Sequence, residues 1–232
     1  MSLMGCHTLL ALQEKVLHDS KCFNDLLQYL TIPVSEMFRN PSYFLSLREK
    51  VIPHLKTYPS LKIWVAGCST GEEVYSLAIL LQEEELLERT ILYATDINLN
   101  RLAKAEKGFF DLKEIQKSND NYKKAGGMHS LSDYYTATSP TAEIHSSLKN
   151  NVVFADHCLV TDASFSEMNL ISCRNVLIYF DSKIQDKAYG LFNDSLCRRG
   201  FLGLGASETI HFSKYEKYFD PFAGKDRIFR KK

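Results

Sequence analysis

Two glycines after an apolar run, with acids directly behind them, form the first candidate site in this sequence. Gly67 and Gly71 follow a predicted buried strand over residues 62–66, and Glu72 and Glu73 come next. A glycine turn at the carboxyl end of a parallel strand lets a ligand approach the backbone. The spacing matches neither the dinucleotide motif nor a P-loop, and two acids would repel a pyrophosphate. The pattern favours a ligand with a positive centre; the alternative is a tight turn whose acids are merely solvated.

A second candidate, Asp96, ends the next predicted strand, residues 91–95. An acid roughly 20 residues or more past such a turn accepts hydrogen bonds from ribose hydroxyls in nucleotide-binding sheets. Its alternative role is to cap the helix predicted over 98–107. The glycine turn and the acid together indicate an adenosine-containing ligand. S-adenosylmethionine (SAM) fits better than a dinucleotide, because it has a ribose and a cationic sulfonium but no phosphate.

Two further segments bring polar side chains to predicted loops. Arg174 and Asn175 follow a predicted buried strand over 170–173 and precede an apolar turn that contains Tyr179. Arg39 ends a predicted ordered loop, and a guanidinium can fork onto a carboxylate. By composition alone, a plain strand-to-helix connection and a surface arginine are the simpler interpretations.

Alternating strands and helices are expected to position these residues. Further strands are predicted over 152–155, 200–205 and 227–229, and helices over 8–30, 41–53, 72–88, 98–107 and 182–197. Asn40 and Ser182 are the expected N-caps, and Pro53 is expected to end or kink its helix. The alternation is typical of an open parallel sheet.

Residues 109–150 interrupt this alternation. Turn signals, with short strands predicted over 134–136 and 143–148, indicate a small antiparallel insert. The expected fold class is α/β, a Rossmann-like sheet with helices on both faces and this β insert. Residues 1–40 are predicted to form an N-terminal helical segment and cofactor loop, and 41–232 the main domain.

Composition excludes several functional classes. The 232 residues include 28 basic and 28 acidic side chains, so the net charge is zero, which argues against a nucleic-acid binder. No apolar stretch approaches the roughly 20 residues of a membrane helix, and residues 1–5 lack the basic region, apolar core and cleavage site of a signal peptide. The six cysteines lack metal-ligand spacing. A cytoplasmic protein with reduced thiols, no metal and no membrane insertion is therefore expected. We also expect a monomer.

Four segments together resemble the CheR family of chemotaxis methyltransferases. Residues 173–181 read CRNVLIYFD and 66–76 read AGCSTGEEVYS, with shorter matches at 94–97 and 202–208. The resemblance covers about residues 31–232. It implies a SAM-dependent enzyme that methylates glutamate side chains of chemoreceptors in chemotaxis adaptation. S-adenosylhomocysteine would be the product, and a receptor's cytoplasmic helices or C-terminal peptide the partner.

The resemblance also implies roles for individual residues. The implied cofactor-binding positions are Pro33, Ser35, Arg39, Glu73, Asp96, Cys158, Leu159, Cys173 and Arg174, and Gly67 joins them through the glycine turn. Tyr179 matches a tyrosine beside the reacting centre, and Arg39 is also expected to orient a carboxylate. Asn175 is added as a catalytic candidate because it adjoins Arg174. The insert lies where the family has a small β-subdomain, which in some members docks a receptor's C-terminal peptide.

The chain departs from the family pattern at three places. Cys158 stands where the family favours Asn, and a thiol is a weaker hydrogen-bond partner than an amide. Pro33 has no N–H to donate, and about 30 residues precede the matched region, where the family often has a helical domain. Two alternatives stay open: a cofactor-binding sensor or adaptor with little or no transfer, and a methyltransferase with another acceptor.

Overall fold

The computed structural model describes residues 5–19, 22, 26 and 35–232. Helix α1 (Leu9–His18) begins after Thr8, whose Oγ1 accepts a hydrogen bond of 3.1 Å from the Ala11 amide. This helix confirms the first part of the helix predicted over 8–30. Most of the remainder lies outside the described residues. No helix of the described part of the chain is long and apolar enough to cross a membrane.

Ten strands lie within the described ranges. They are β1 (Leu61–Ala66), β2 (Thr90–Asp96), β3 (Phe109–Asp111), β4 (Tyr135–Thr138), β5 (Thr141–Ile144), β6 (Val152–Asp156), β7 (Met168–Cys173), β8 (Leu196–Leu204), β9 (Phe219–Ala223) and β10 (Ile228–Lys231). Seven of them form the main sheet, in the order β6-β2-β1-β7-β8-β10-β9.

The main sheet confirms the predicted parallel α/β architecture. β6, β2, β1, β7 and β8 run parallel, and β10 is antiparallel to both of its neighbours. The chain builds one side of the sheet from β1 to β6 and then crosses to β7, on the other side of β1. Ligands bind at such a switch point, outside the carboxyl ends of the strands. The sequence pattern missed β9, an edge strand that contains Pro221, because proline weakens a strand signal and is tolerated at an edge.

Helices cover the sheet and precede it. They are α2 (Pro41–Ser46), α3 (Ile52–Leu55), α4 (Glu72–Glu83), α5 (Leu99–Lys107), α6 (Leu112–Lys117), α7 (Asn119–Lys124), α8 (Ser146–Lys149) and α9 (Ser182–Ser195). A π-helical turn, Leu47–Val51, joins α2 to α3. The helical run therefore passes Pro53 and ends at Leu55. Pro53 lies in the first turn of α3, directly after the wide turn, where its missing N–H is tolerated.

One of the two predicted N-caps is confirmed in position and the other is wrong. Asn40 is the N-cap of α2, which begins at Pro41 as predicted, but it adopts a left-handed conformation (φ 58°) and makes no capping hydrogen bond with its side chain. The cap of α9 is Asp181, whose Oδ1 accepts from the Ile184 amide at 2.9 Å. Asp and Ser have similar preferences for the N-cap position, so the sequence did not show which of Asp181 and Ser182 caps the helix.

Helix α4 is shorter than the predicted 72–88. It ends at Glu83, and a short 3₁₀ turn, Leu87–Arg89, follows. Leu86 and Leu87 are buried there, so packing against the core redirects the chain where helix propensity alone would continue.

The insert is antiparallel as predicted, with strand order β3-β5-β4. Its detail differs from the prediction, because residues 146–149 form α8, which the predicted strand over 143–148 had included. Helices α6 and α7 were also missed. They are short and polar, and the burial of Ile115 and Tyr122 against the rest of the protein selects the helical conformation.

The core lies on both faces of the main sheet. In β1, Ile63 and Val65 join the cluster that includes residues of α4, whereas Trp64 joins the cluster that includes residues of α9. All three side chains are buried. This alternation places helices on both faces, as expected, and leaves the carboxyl ends of the strands free for a site.

Candidate functional site

The glycine turn links the ends of β1 and β2. Gly67 has a left-handed φ of 78°, and its amide and that of Cys68 each donate to the Thr95 carbonyl at 2.8 Å. A side chain at Gly67 would collide with Val176 in the loop after β7. The turn therefore needs glycine here, and it brings the loops of three neighbouring strands together.

Asp96 is held between two of these loops. Its Oδ2 accepts from the Ser69 amide and its Oδ1 from the Asn98 amide, both at 2.8 Å. The side chain of Asn98 caps α5, so the alternative role of Asp96 as that helix's N-cap is wrong. Each carboxylate oxygen keeps a lone pair. The buried group is thus oriented to accept further hydrogen bonds from a ligand.

Glu73, which is half-buried, and Arg174, which is buried, form an ion pair at the same edge. Arg174 Nη1 lies 3.1 Å from Glu73 Oε2, and the Ser172 hydroxyl donates to Glu73 Oε1 at 2.6 Å. The guanidinium also lies 4.2 Å from the centre of the Tyr43 ring. Burial, with Glu73 as the next contribution, raises the pKa of the Tyr43 phenol well above its usual value of 10.0, so it remains protonated.

Arg174 also fixes the loop that precedes α2. Its Nη2 donates to the Arg39 carbonyl at 2.9 Å and to Asn40 Oδ1 at 2.7 Å. This contact explains why the Asn40 side chain does not cap α2. The arginine side chain, 1% exposed, therefore joins β7, α4 and the segment that carries Arg39.

These elements surround a cavity of about 660 Å³ at the carboxyl edge of the sheet. The volume lies within the roughly 300–1,000 Å³ of small-molecule sites. The structure brings together around it Ser35, Arg39, Gly67, Glu73, Asp96, Cys158, Leu159, Arg174, Asn175 and Tyr179. Pro33 lies outside the described residues.

Cys173 is a predicted site residue whose side chain does not line the cavity. It is fully buried in the core cluster beside β8, and burial raises the pKa of its thiol well above its usual value. Among the described residues, Cys173 is thus the one predicted site residue that the structure does not bring to the cavity.

Several residues that line the cavity were not predicted. They include Glu36, Phe44, Ile97, Asn98, Arg101, His157, Val160 and Ile178. Ile97 and Asn98 directly follow β2, and His157 directly follows β6. The rule that ligands bind beyond strand ends, applied to every strand, would have found these three.

Glu208 is a further unpredicted residue, and it organises the loop after β7. Its Oε1 accepts from the amides of Val176 (2.9 Å) and Leu177 (2.7 Å), and its Oε2 from those of Asn175 (3.0 Å) and Gly205 (2.6 Å). The carboxylate thus fixes Asn175 in its left-handed conformation, φ 60°. Glu208 is a positioning residue, because it orders a loop of the cavity wall.

The polar groups of the cavity wall fit a ligand with polar groups of its own. Among the described residues, four buried side-chain atoms have no hydrogen-bond partner, and three belong to lining residues: Asn98 Nδ2, His157 Nδ1 and Arg174 Nε. Buried polar groups are nearly always paired. The hydroxyls, amine and carboxylate of SAM are the kind of partner that these atoms lack.

Comparison with known proteins identifies the family. Residues 33–226 match the family described as CheR methyltransferase, SAM binding domain. The chain belongs to the CheR methyltransferase family. The resemblance noted in the sequence is therefore confirmed, and so is SAM as the cofactor of this methyltransferase domain.

Curated relatives agree with this assignment. The chain is 58% identical over 226 residues to "Putative methyltransferase Cher3" of Pseudomonas putida, covering 97% of this chain and 83% of the relative. It is 32% identical over 194 residues to the chemotaxis protein methyltransferase of Listeria innocua, covering 83% and 71%. A solved glycopeptide N-methyltransferase, MtfA with sinefungin, is 9% identical with a TM-score of 0.44, over 74% of this chain and 50% of that one. The assignment rests on the sequence matches.

Proposed function

We propose that this methyltransferase transfers the methyl group of SAM to glutamate side chains of chemoreceptors, giving methyl esters. The observation that carries the proposal is the match of residues 33–226 to the CheR methyltransferase family, together with the cavity that the predicted cofactor residues surround. A hydroxyl acceptor needs a base, whereas glutamate, with an ordinary pKa near 4.3, is already ionised at neutral pH.

The Listeria innocua relative supports the same acceptor class, because it is named a chemotaxis protein methyltransferase. When bound, SAM supplies a methyl group on a positively charged sulfur, which an ionised carboxylate attacks in line. Positioning then provides most of the rate, so the residues of the cavity wall act mainly by orientation.

Asp96 and the Glu73–Arg174 pair are proposed to hold the cofactor. Asp96 would accept hydrogen bonds from the ribose hydroxyls, since two backbone amides already fix its carboxylate. Glu73 brings a negative charge to the cavity wall, and Arg174 keeps the Arg39 segment in place beside it. Arg39 would then orient a carboxylate of the cofactor or of the substrate.

Tyr179 and Asn175 are proposed to act beside the transferred methyl group. Tyr179 lines the cavity and remains 49% exposed, which supports a role in contact with an incoming side chain. It would donate a hydrogen bond near the reacting carboxylate. Asn175 lies one residue after Arg174 in the loop that Glu208 fixes.

The insert offers a place for the receptor's C-terminal peptide. Its strand order, β3-β5-β4, leaves one edge of β4 unpaired among the described residues, and residues 136–138 are exposed. An extended peptide can add to such an edge by main-chain hydrogen bonds. This edge is therefore the docking position that we propose.

Methyl incorporation tests the acceptor. The full chain is incubated with methyl-labelled SAM and a receptor-helix peptide, beside a matched peptide in which glutamine replaces each glutamate. We expect alkali-labile label on the glutamate peptide alone, because methyl esters hydrolyse in alkali. Alkali-stable label on both peptides would contradict the proposal and indicate another acceptor.

Cys158 supports a second candidate function, a cofactor-binding adaptor without transfer. Its half-buried side chain lines the cavity where the family pattern favours Asn, and the Cys158 amide is already bonded to Asp162 Oδ2 at 2.8 Å. If this candidate is right, S-adenosylhomocysteine raises the melting temperature but no peptide is labelled. Cys158→Asn would then tighten cofactor binding by about 2–10-fold, through a restored hydrogen bond worth about 0.5–1.5 kcal/mol.

A further inference from the structure

A second cleft, of about 230 Å³, lies at the other edge of the main sheet. We name it the basic cleft. It is lined by Arg198, Arg199, Asp220, Arg230, Lys231 and Lys232. Arg198 and Arg199 lie near the start of β8. Arg230 lies in the antiparallel neighbour β10, where it pairs with Phe201 of β8. The cavity lies beyond the carboxyl ends of the parallel strands, so the basic cleft is separate from it.

The basic cleft has a large excess of positive charge. Five of its six residues are cationic, although the whole chain has 28 basic and 28 acidic side chains. Asp220 lies 3.5 Å from Lys232. Within the described residues, no carboxylate lies within ion-pair distance of Arg198, Arg199, Arg230 or Lys231. A concave site lined by one sign of charge concentrates counter-ions of the other sign.

Arg230 is held in the cleft by contacts that leave its charge uncompensated. Its guanidinium lies 5.2 Å from the centre of the Phe201 ring and 5.7 Å from that of Phe222. Its Nε donates to the Arg199 carbonyl at 3.2 Å. The rings and the carbonyl fix the side chain without neutralising it, which preorganises a cation for an anionic ligand.

Lys231 is positioned in a similar way. Its Nζ donates to the carbonyls of Asn193 (2.6 Å) and Leu196 (2.7 Å), where α9 ends and β8 begins. Carbonyls at a helix C-terminus attract a cation but carry no full negative charge. The ammonium group therefore also contributes to the positive potential.

Arg199 adopts a backbone conformation that costs energy. Its φ is 64°, in the left-handed region, which glycine enters far more readily than arginine. Such conformations cluster at functional sites. The chain thus carries a cation beside the cleft at a position where glycine would be less strained.

We propose that the basic cleft binds the phosphate group of a small phosphorylated ligand. Guanidinium groups match phosphate oxygens in two-point hydrogen bonds, and a dianion offsets more of the charge excess than one carboxylate does. The cleft is smaller than the roughly 300–1,000 Å³ of sites for whole drug-sized ligands. It therefore fits an anionic group with a small substituent better than a helix or a nucleic-acid duplex.

His54 provides a reporter for this site. Its ring lies 5.8 Å from the Phe201 ring and 5.5 Å from the Phe222 ring, the two rings that Arg230 covers. Burial lowers the pKa of His54, and the charges of Arg230 and Arg199 lower it further. A dianion bound in the cleft offsets these charges, so the pKa of His54 should rise on binding.

The test is an NMR titration of the full chain at low ionic strength with inorganic phosphate and with pyrophosphate. We expect saturable shifts of the His54 ring signals and a rise of the His54 pKa. Half-saturation should occur below about 10 mM phosphate, which corresponds to a binding free energy of about a few kcal/mol. Sodium chloride at equal ionic strength should not reproduce them. Equal shifts with chloride would show charge screening alone and would overturn the proposal.

Paired variants locate the binding. Arg198→Gln combined with Arg199→Gly should weaken phosphate binding by about ten-fold or more, through the loss of charge-assisted hydrogen bonds. Glycine relieves the left-handed strain at 199, so the fold should persist. Lys123→Gln with Lys124→Gln removes two exposed charges from α7 and should leave binding unchanged.

Binding that survives the Arg198/Arg199 double variant would overturn the proposal. A separate arm uses vesicles of phosphatidylglycerol. Binding of these vesicles without binding of phosphate or pyrophosphate would also overturn it, in favour of a membrane surface as the partner.

Discussion

The two ends of helix α4 carry carboxylates with different tasks. Glu73, in the first turn, bonds Ser172 and Arg174, lines the cavity, and keeps 18% of its side chain exposed. Glu83, the last residue, is 1% exposed and accepts from Arg48 and from the hydroxyls of Tyr122 and Tyr134.

The difference lies in what each carboxylate leaves unused. At Glu83, a guanidinium, two phenols and the Met128 amide surround the group, so its hydrogen bonds hold the insert and the segment before β1 against α4. Burial, followed by the hydrogen bond to Glu83, raises the pKa of Tyr122 to about 12, so this phenol remains a donor. At Glu73, one side of the network faces a cavity. The same residue type therefore anchors structure at one end of α4 and is available to a ligand at the other.

The largest expected effect is on stability, at Glu83. Glu83→Ala leaves the hydroxyls of Tyr122 and Tyr134 without their acceptor, and Arg48 keeps only Glu84 as a carboxylate partner. At about 1–3 kcal/mol for each unsatisfied buried donor, the loss should be about 2–5 kcal/mol. Urea denaturation measures the loss. Glu88→Ala, at an exposed position after the same helix, should change stability by less than about 0.5 kcal/mol. Equal stability of the two variants would contradict the structural role of Glu83.

The next effect concerns ligand binding, at Glu73. Glu73→Gln keeps the shape but removes the charge opposite Arg174, and we expect S-adenosylhomocysteine affinity to fall by about ten-fold or more, as for a charged hydrogen bond worth about 1.5–3 kcal/mol. Calorimetric titration gives the affinity, and urea denaturation should show a smaller loss than for Glu83→Ala. Unchanged affinity would show that Glu73, like Glu83, serves structure alone.

Glu208 lies between these two cases, since it is buried but orders a wall of the cavity. Glu208→Gln leaves one acceptor oxygen for four amide donors, so the loop around Asn175 should loosen. We expect cofactor affinity to fall by about 3–10-fold, on the scale of about 1 kcal/mol for a hydrogen bond. A positioning role requires that kcat also falls when SAM is saturating. If Glu208→Gln lowers stability but kcat at saturating SAM stays normal, Glu208 serves structure alone, as Glu83 does.

The smallest expected effect is a pH dependence of the free energy of unfolding, caused by Glu84, the neighbour of Glu83. Burial alone would raise the pKa of Glu84, but Lys56 and Arg48 outweigh it and hold the pKa below its ordinary value of 4.5. The stabilisation is therefore present above pH 4.5 and is lost as the pH falls through the lower folded-state value. It should be worth about 0.2–1 kcal/mol, because the pair is partly exposed.

The check is the difference in free energy of unfolding between the wild type and Glu84→Gln. This difference should shrink between about pH 5 and pH 3, as linkage requires for a depressed carboxyl pKa. A difference that stays constant over that range would contradict the assignment.

The sequence predicted the parallel sheet and much of the cavity wall, because these depend on local signals. Buried strands show as apolar runs, and Gly67 and Asp96 stand where such runs end. The resemblance added functional roles for Arg39, Glu73, Arg174 and Tyr179, and the structure places all of them around one cavity. Their individual roles stay predictions that the variants above will test.

Local patterns by themselves determined the strand order along the chain, the glycine turn, and the acid at the end of the second strand. Only the tertiary structure decided which distant groups meet. Arg174 bonds Asn40, 134 positions away, and Glu208 reaches a loop more than 30 residues before it. The same applies to Asn40, Asp181 and the helices of the insert, where burial and partners from other elements outweighed local preference. Hydrogen bonds of buried charges are chosen by proximity in space, and one sequence without its fold carries no signal of that proximity.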